Sequence, residues 1–347
     1  MLNNIKVLDC TLRDGGQGLT DINTNIESVD IFTESEKSNI AQLLANSGID
    51  IVEIGCVKET DAKDESGFAL YSSLSEVSKH KPKKMKSDQL ISALFIGPDI
   101  CIDSIPCYSE DMVDCVRVIL RYSELKKSLD FCRELIKKGY KTCVQPMLTM
   151  RYTDDEIKYV LSESNDMGAY AVYFVDSFGY MSPSDVKRLY SIYDQYLNKS
   201  IKIGFHAHNN MQMAFENVKE FLSLAKERDV IVDSCAYGMG QGAGNMQTEL
   251  LVPYLNKEFS TNYDLDSVLD ICDVLEKYKL GDMKSWGYSP LRLIPALYNT
   301  AYKYATSLKV DHNKSLREIN NIIKNMPNDM RHRYTKDNLD NLLNKHI

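Results

Sequence analysis

From Ile5 to Tyr237 the chain repeats one rhythm, a short β-rich run followed by a helical pattern, and no other feature narrows its possible folds as far. The runs are Ile5–Thr11, Asp50–Val57, Leu90–Ile96, Val113–Arg121, Thr142–Leu148, Ala171–Ser177, Ile201–His208 and Val230–Tyr237. Several are almost continuously apolar, the pattern of parallel strands covered on their outer face. Between them lie amphipathic segments with local start and stop signals. Thr153–Met167 opens on Thr-Asp-Asp-Glu, a capping box, and ends at Gly168. Ser182–Tyr196 opens on Ser-Pro-Ser-Asp, with proline suited to a first turn. Glu34–Ser47 and Ser123–Lys138 carry apolar residues at helical spacing. Eight strands with intervening helices predict an α/β fold of the (β/α)8 TIM-barrel kind, with a doubly wound sheet as the alternative. The third unit is the weakest, because Lys79 to Lys86 is basic and Pro98 to Pro106 is irregular.

Beyond about Asn256 the strands stop. Tyr263–Leu280, Pro290–Ser307, Ser315–Met326 and Thr335–Lys345 read as helices, so the chain divides into a barrel over 1–258 and a helical C-terminal extension over 259–347. The length of 347 residues suits that division, and 44% hydrophobic residues supply the core. A net charge of −8 argues against nucleic acid or an anionic membrane as the main partner. No apolar run approaches the roughly 20 residues of a membrane span, and the first residues lack a secretory pattern. Nine cysteines, scattered from Cys10 to Cys272 without a CxxC pair, read as reduced core thiols of a cytoplasmic protein.

In a barrel the chemistry sits where strands end at their C-terminal side. Strand one runs into Arg13-Asp14, strand two contains Glu53, strand six ends in Asp176-Ser177, and strand seven ends in His206-Ala207-His208-Asn209-Asn210. His206 and His208, at i and i+2 on a strand, face the same way and can reach one ion, with Asp14 adding a hard oxygen. The plainer reading is two histidines that cap the barrel by hydrogen bonds. Arg13 and Asp14 diverge if they share a strand, which turns the guanidinium toward a substrate oxygen. Gly15 and Gly16 then serve as a sharp turn. The last strand leads into "YGMGQGAGN", Tyr237 to Asn245, whose alternating glycines do not fit a dinucleotide fingerprint but allow close approach to the barrel mouth. Asn245 reads as a further metal ligand, as a donor to one, or simply as part of a loop that leads into a helix. The Lys58–Tyr71 loop, with Asp61, Asp64 and Glu65, is either an entrance or, more simply, a solvated charged loop.

Four segments in order, "DCTLRDGGQ" at 9–17, "VEIG" at 52–55, "FHAHNN" at 205–210 and "GMGQGAGNMQTEL" at 238–250, resemble the DRE-TIM metallolyase superfamily. With "WGYSP" at 286–290, the chain is most similar to its 4-hydroxy-2-oxovalerate aldolase branch. The resemblance implies a divalent metal, manganese or magnesium, held by Asp14, His206 and His208. It places Arg13 on an enolate, Ser177 near a pyruvyl group and Tyr288 as a tail residue reaching the site. Its substrates would be pyruvate or a similar 2-oxo acid and an aldehyde. An aldehyde dehydrogenase partner or a homo-oligomer would form through the extension.

One position departs from that branch. Gln17 stands where its aldolases carry a histidine acid/base, and an amide does not exchange a proton near neutral pH. Tyr288, Glu53 or metal-bound solvent would then carry the proton, with Glu53 better read as a partner of Arg13 or Asn245. Gln17 also keeps open a Claisen-type acyl-CoA condensation of the isopropylmalate or homocitrate synthase kind. A non-catalytic scaffold for a dehydrogenase is a third reading. The CoA-lyase reading has no cysteine in the loop from Gly238 to Asn245 to support it.

Overall fold

A computed structural model of the chain describes residues 5–22, 31–59, 66–278 and 286–345. Eight parallel strands close a barrel: β1 (Ile5–Asp9), β2 (Ile51–Val57), β4 (Leu90–Phe95), β5 (Cys115–Leu120), β6 (Lys141–Pro146), β7 (Ala171–Asp176), β8 (Lys202–Ala207) and β9 (Val230–Ser234). Closure comes from β1, which pairs with β9 on one side and β2 on the other. A two-residue strand, β3 (Leu70–Tyr71), hangs on β2 beside a register shift between Glu53 and Cys56. That shift marks the place where the Lys58–Tyr71 loop folds back. Its acidic residues Asp61, Asp64 and Glu65 lie outside the described residues.

The covering helices follow the local signals. In α5 (Asp154–Met167) the Thr153–Glu156 capping box forms and Gly168 ends the helix at φ 68°. Ser182 caps α6 (Pro183–Tyr196), with Pro183 in the first turn. α2 (Glu34–Asn46), α4 (Leu125–Lys137) and α7 (Ala214–Leu224) complete much of the ring. The third unit has only a single helical turn, Ile102–Ser104, between β4 and β5, in keeping with its irregular sequence.

Three readings are corrected. First, "TLRDGGQG" is neither strand end nor turn: it is the start of α1 (Thr11–Ile22). Arg13, Asp14 and Gln17 therefore sit on a helix. Second, Gly15 and Gly16 serve packing rather than a bend. A Cβ on Gly16 would run into the Phe68 carbonyl, and one on Gly15 into the Met239 sulfur. Third, Pro290–Ser307 is two helices, α10 (Pro290–Leu297) and α11 (Lys303–Val310). Asn299, at φ 49°, breaks them apart, and the amides of Asn299 and Thr300 return to the carbonyls of Ala296 and Pro295.

The apolar interior has separate compartments. The main cluster lies between barrel and helices and extends to α9 (Leu265–Glu276), through Ile271 and Leu275, and to Trp286. A smaller one, including Leu8, Cys10, Cys115, Cys143 and Tyr173, fills the inside of the barrel. A third belongs to the tail: Leu291, Ile294, Tyr304, Leu308, Ile319, Ile322 and Leu339, from α10, α11, α12 (Leu316–Lys324) and α14 (Lys336–Lys345). None of the cysteines is in a disulfide, and six of the nine are buried.

Candidate active site

The first turn of α1 delivers Arg13 and Asp14 into the C-terminal mouth of the barrel, where both are buried. Adjacent on a helix, they do not diverge: Arg13 Nη1 donates to Asp14 Oδ1 at 2.7 Å. Arg13 Nε donates to Glu53 Oε2 at 2.7 Å, and Gln17, one turn along, accepts from Nη1 at 3.4 Å. Two edges of the guanidinium are thus fixed, while Nη2 has no protein acceptor among the described residues. Burial disfavours the Asp14 carboxylate, but Arg13 and His208 outweigh it and hold the acid well below the usual carboxylate range.

The last turns of β8 bring His206 and His208 beside Asp14. The ligating atoms of these three lie within 4.8 Å of one another. His208 Nε2 is 3.7 Å from Asp14 Oδ2. Each imidazole has its other nitrogen occupied: His206 Nδ1 is 2.9 Å from Asp233 Oδ2, and His208 Nδ1 is 2.9 Å from the Asp176 carbonyl. Such contacts fix the tautomer and leave Nε2 with its lone pair turned to the site. Burial works against a charged His206, but Asp233 and Cys10 raise it to about 9.

The glycine loop closes the other side. Asn245 bridges to His208 through the backbone, and its Nδ2 donates to Asp14 Oδ2 and to the Met239 carbonyl. Its Oδ1 is buried without a partner. Gly240 passes so close that a Cβ there would strike Asp14 and Asn245. A carboxylate and two imidazoles within reach of one another, with an amide oxygen nearby in sequence to Gly240 that has no partner among the described residues, are donors that fit a hard divalent ion.

Beneath this cluster runs a buried ionic chain of which only the first link, Glu53 with Arg13, was expected from the sequence. Arg117, on β5 and fully buried, donates Nη1 to Glu53 Oε2 at 2.9 Å and pairs through Nη2 with Asp233. Gln145, turned with its oxygen toward the guanidinium, accepts from Arg117 Nε at 2.7 Å. The order Arg13–Glu53–Arg117–Asp233–His206 links the free guanidinium edge to the histidine. The only local sign was a single arginine in the apolar run "CVRVIL" and a single aspartate in "VIVDSC". A charge on a strand covered outside must point inward and find a partner.

Ser177 stands at the rim, half-buried, its Oγ accepting from the Leu148 amide at 2.9 Å. Tyr288 is different: it is 55% exposed and does not share the burial of the cluster. Glu53 is fully buried and engaged by two arginines, with no contact to Asn245.

A closed parallel barrel with a carboxylate–dihistidine cluster at its C-terminal mouth, beside a guanidinium edge, defines the class: a barrel enzyme. Within it, the chain belongs to the HMGL-like family, whose model matches residues 4–275. The oxaloacetate decarboxylase of Mycobacterium tuberculosis is 25% identical over 311 residues, covering 88% of this chain and 84% of that protein. The 4-hydroxy-2-oxovalerate aldolase of Carboxydothermus hydrogenoformans is 29% identical over 279 residues, covering 79% and 77%. In fold, an N-terminal domain from Bacteroides vulgatus matches with a TM-score of 0.70 at 22% identity, covering 90% of this chain and 99% of that one. Among the described residues, no helix is long and apolar enough to cross a membrane.

Proposed function

We propose that the chain is a divalent-metal-dependent carbon–carbon lyase of the aldolase type, joining or parting pyruvate, or a similar 2-oxo acid, and an aldehyde. The observation that carries this reading is the cluster of Asp14, His206 and His208, with each imidazole's Nδ1 occupied. Those three residues would hold the ion, with Asn245 Oδ1 as a further oxygen, and manganese or magnesium suits such oxygen and imidazole donors. When bound, the ion supplies Lewis-acid stabilisation of an enolate.

The remaining work falls to this chain's own groups. Arg13, clamped by Glu53 and Asp14, directs Nη2 at the oxygen on which negative charge develops. Ser177 would orient the 2-oxo acid carboxylate from the rim. Gln17 steadies Arg13 and carries no proton. The fully buried, doubly paired Glu53 acts by positioning Arg13 and Arg117. A dehydrogenase partner or a second copy of the chain would dock through the helical extension.

Gln17 favours a second reading of the same site. Loss of carbon dioxide from a 2-oxo diacid leaves the electron pair of the broken bond in the enolate, so no base is needed to form it. A relative named oxaloacetate decarboxylase accords with that chemistry. The test is a pair of assays with the metal-loaded enzyme: pyruvate release from a 4-hydroxy-2-oxo acid, and pyruvate release from oxaloacetate above the metal-catalysed background. Cleavage of the hydroxy acid, abolished by a chelator and by Asp14→Asn, is expected. Decarboxylation alone would select the second reading, and neither activity would refute both.

A further inference from the structure

Beside the barrel mouth lies a cleft of about 400 Å³ between the loops after β6 and β7 and the tail helices. Arg151 and Tyr180 come from the barrel; Tyr298, Asn299, Arg331 and His332 come from the tail. The cleft adjoins the candidate active site. The Tyr180 amide donates to the Asp176 carboxylate at 2.7 Å, and the Asp176 carbonyl is the one that holds His208. On the other side Leu148, three residues before Arg151, donates to Ser177.

Its charge is one-signed. Arg151 lies with its guanidinium carbon 4.2 Å from the Tyr122 ring centroid, with no hydrogen bond or ion pair from its side chain among the described residues. Glu156, held below its ordinary range by hydrogen bonds from Tyr122 and Thr153 and by the charge of Arg151, is the nearby acid, and it lies outside the cleft lining. Arg331 is fixed by the carbonyls of Tyr298, Lys324 and Met326, which anchor the guanidinium without neutralising it. Burial and these two arginines depress the protonation of His332. Two guanidinium groups and no carboxylate line the cavity, and with tyrosine and asparagine side chains beside them they make a receptor for an anion. The volume exceeds what one small ion fills and falls in the range of organic-ligand sites.

We propose that this cleft receives the negatively charged end of the acceptor aldehyde, a carboxylate or a phosphate, while the carbonyl end reaches the metal site. This rests on the aldolase reading and names its acceptor class. The enzyme would then condense pyruvate with an anionic aldehyde in preference to a neutral one.

The experiment measures kcat/KM at fixed pyruvate for succinic semialdehyde, glyceraldehyde 3-phosphate and butanal. At least one anionic aldehyde is expected to exceed butanal by tenfold or more, and the better of the two tells carboxylate from phosphate. Arg151→Gln is expected to remove most of that ratio and Arg151→Lys to restore part of it. A ratio near one, or one that Arg151→Gln leaves unchanged, overturns the proposal. Calorimetry with inorganic phosphate and with succinate on chelator-treated enzyme reads the cleft without the reaction. Binding of either probe, weakened at least fivefold by Arg151→Gln, is expected; no binding, or equal binding by the variant, counts against the cleft. Metal-dependent exchange of the pyruvate methyl protons, with no aldehyde present, reports on the aldolase reading alone, so its failure is distinct from failure of the cleft.

Discussion

At the residue scale, the site depends on what stands behind the ligating atoms. Asp233 holds His206 Nδ1 and is itself paired with Arg117. Removing the charge of such a supporting carboxylate typically weakens metal binding by about 10–100-fold. Asp233→Asn is therefore expected to lower Mn2+ affinity by that factor in a titration followed by electron paramagnetic resonance, with the barrel still folded. Unchanged affinity would show that the orientation of His206 is set elsewhere. The clustering of His206 and His208 was legible in the sequence, because HxH at a strand end is a local pattern with one obvious geometry. Arg117 was not, because its partners Glu53 and Asp233 are 64 and 116 residues away and only the closed barrel brings them together. Gln17 was legible as a departure, yet its contact with Arg13 required knowing that both lie one turn apart on a helix.

At the scale of elements, the difference between expectation and structure is concentrated in α1. Capped helices such as α5 and α6 announce themselves through local chemistry, Thr153 with Glu156 and Ser182 with Pro183. α1 contains three glycines, each costing about 1 kcal/mol in a helix relative to alanine, so its propensity points to a turn. Tertiary contact overrides that: Gly16 lies against the Phe68 backbone and Gly18 against the Gly240 backbone. Gly16→Ala, which would raise helix propensity in isolation, is expected to destabilise the protein by about 1–3 kcal/mol through overpacking. Urea unfolding measures it, and a neutral or stabilising effect would contradict the packing account.

The junction of β1 with α1 carries a second expectation. Asp9 accepts from the Thr11 amide at 2.8 Å and from Thr248 Oγ1 at 2.6 Å, tying β1 to α8 (Thr248–Phe259). Burial lifts its carboxyl from the ordinary 3.8 to about 6, against the lowering effect of these hydrogen bonds. The folded state thus holds the proton more tightly than the unfolded chain. The resulting stability is fully present below pH 4 and is lost as pH rises through about 6, an effect on the order of 3 kcal/mol. Between pH 4 and 7, metal-free Asp9→Asn should lose less stability than the unaltered protein by roughly that amount. Parallel urea series at four pH values would show it, and identical slopes would contradict it.

At the scale of the whole molecule, one barrel and one small helical core are joined side by side. The tail's cluster around Ile319, Ile322 and Leu339 is separate from the cluster under the barrel helices. Ile322→Ala is expected to cost about 2–5 kcal/mol and to appear in hydrogen exchange as lost protection in α10, α11, α12 and α14, with the barrel strands keeping theirs. Loss of protection in both regions together would mean that they unfold as one unit. The barrel was readable from the sequence because strand runs and helix patterns recur at regular distances. The cleft between barrel and tail was not, because no local pattern says which tail residues meet the loop after β6.

Asp14, His206 and His208 would hold a divalent ion, which would supply the Lewis acidity for loss of a methyl proton from pyruvate to solvent, with Arg13 facing the oxygen on which charge develops. The most direct measurement is deuterium incorporation into the methyl group of pyruvate, followed by proton NMR in heavy water with no aldehyde present. Exchange is expected with Mn2+ or Mg2+, with none after chelation, recovery when the ion is returned, and none at any ion concentration in Asp14→Asn. Exchange that persists in excess chelator, or that Asp14→Asn supports as well as the unaltered protein, would contradict it.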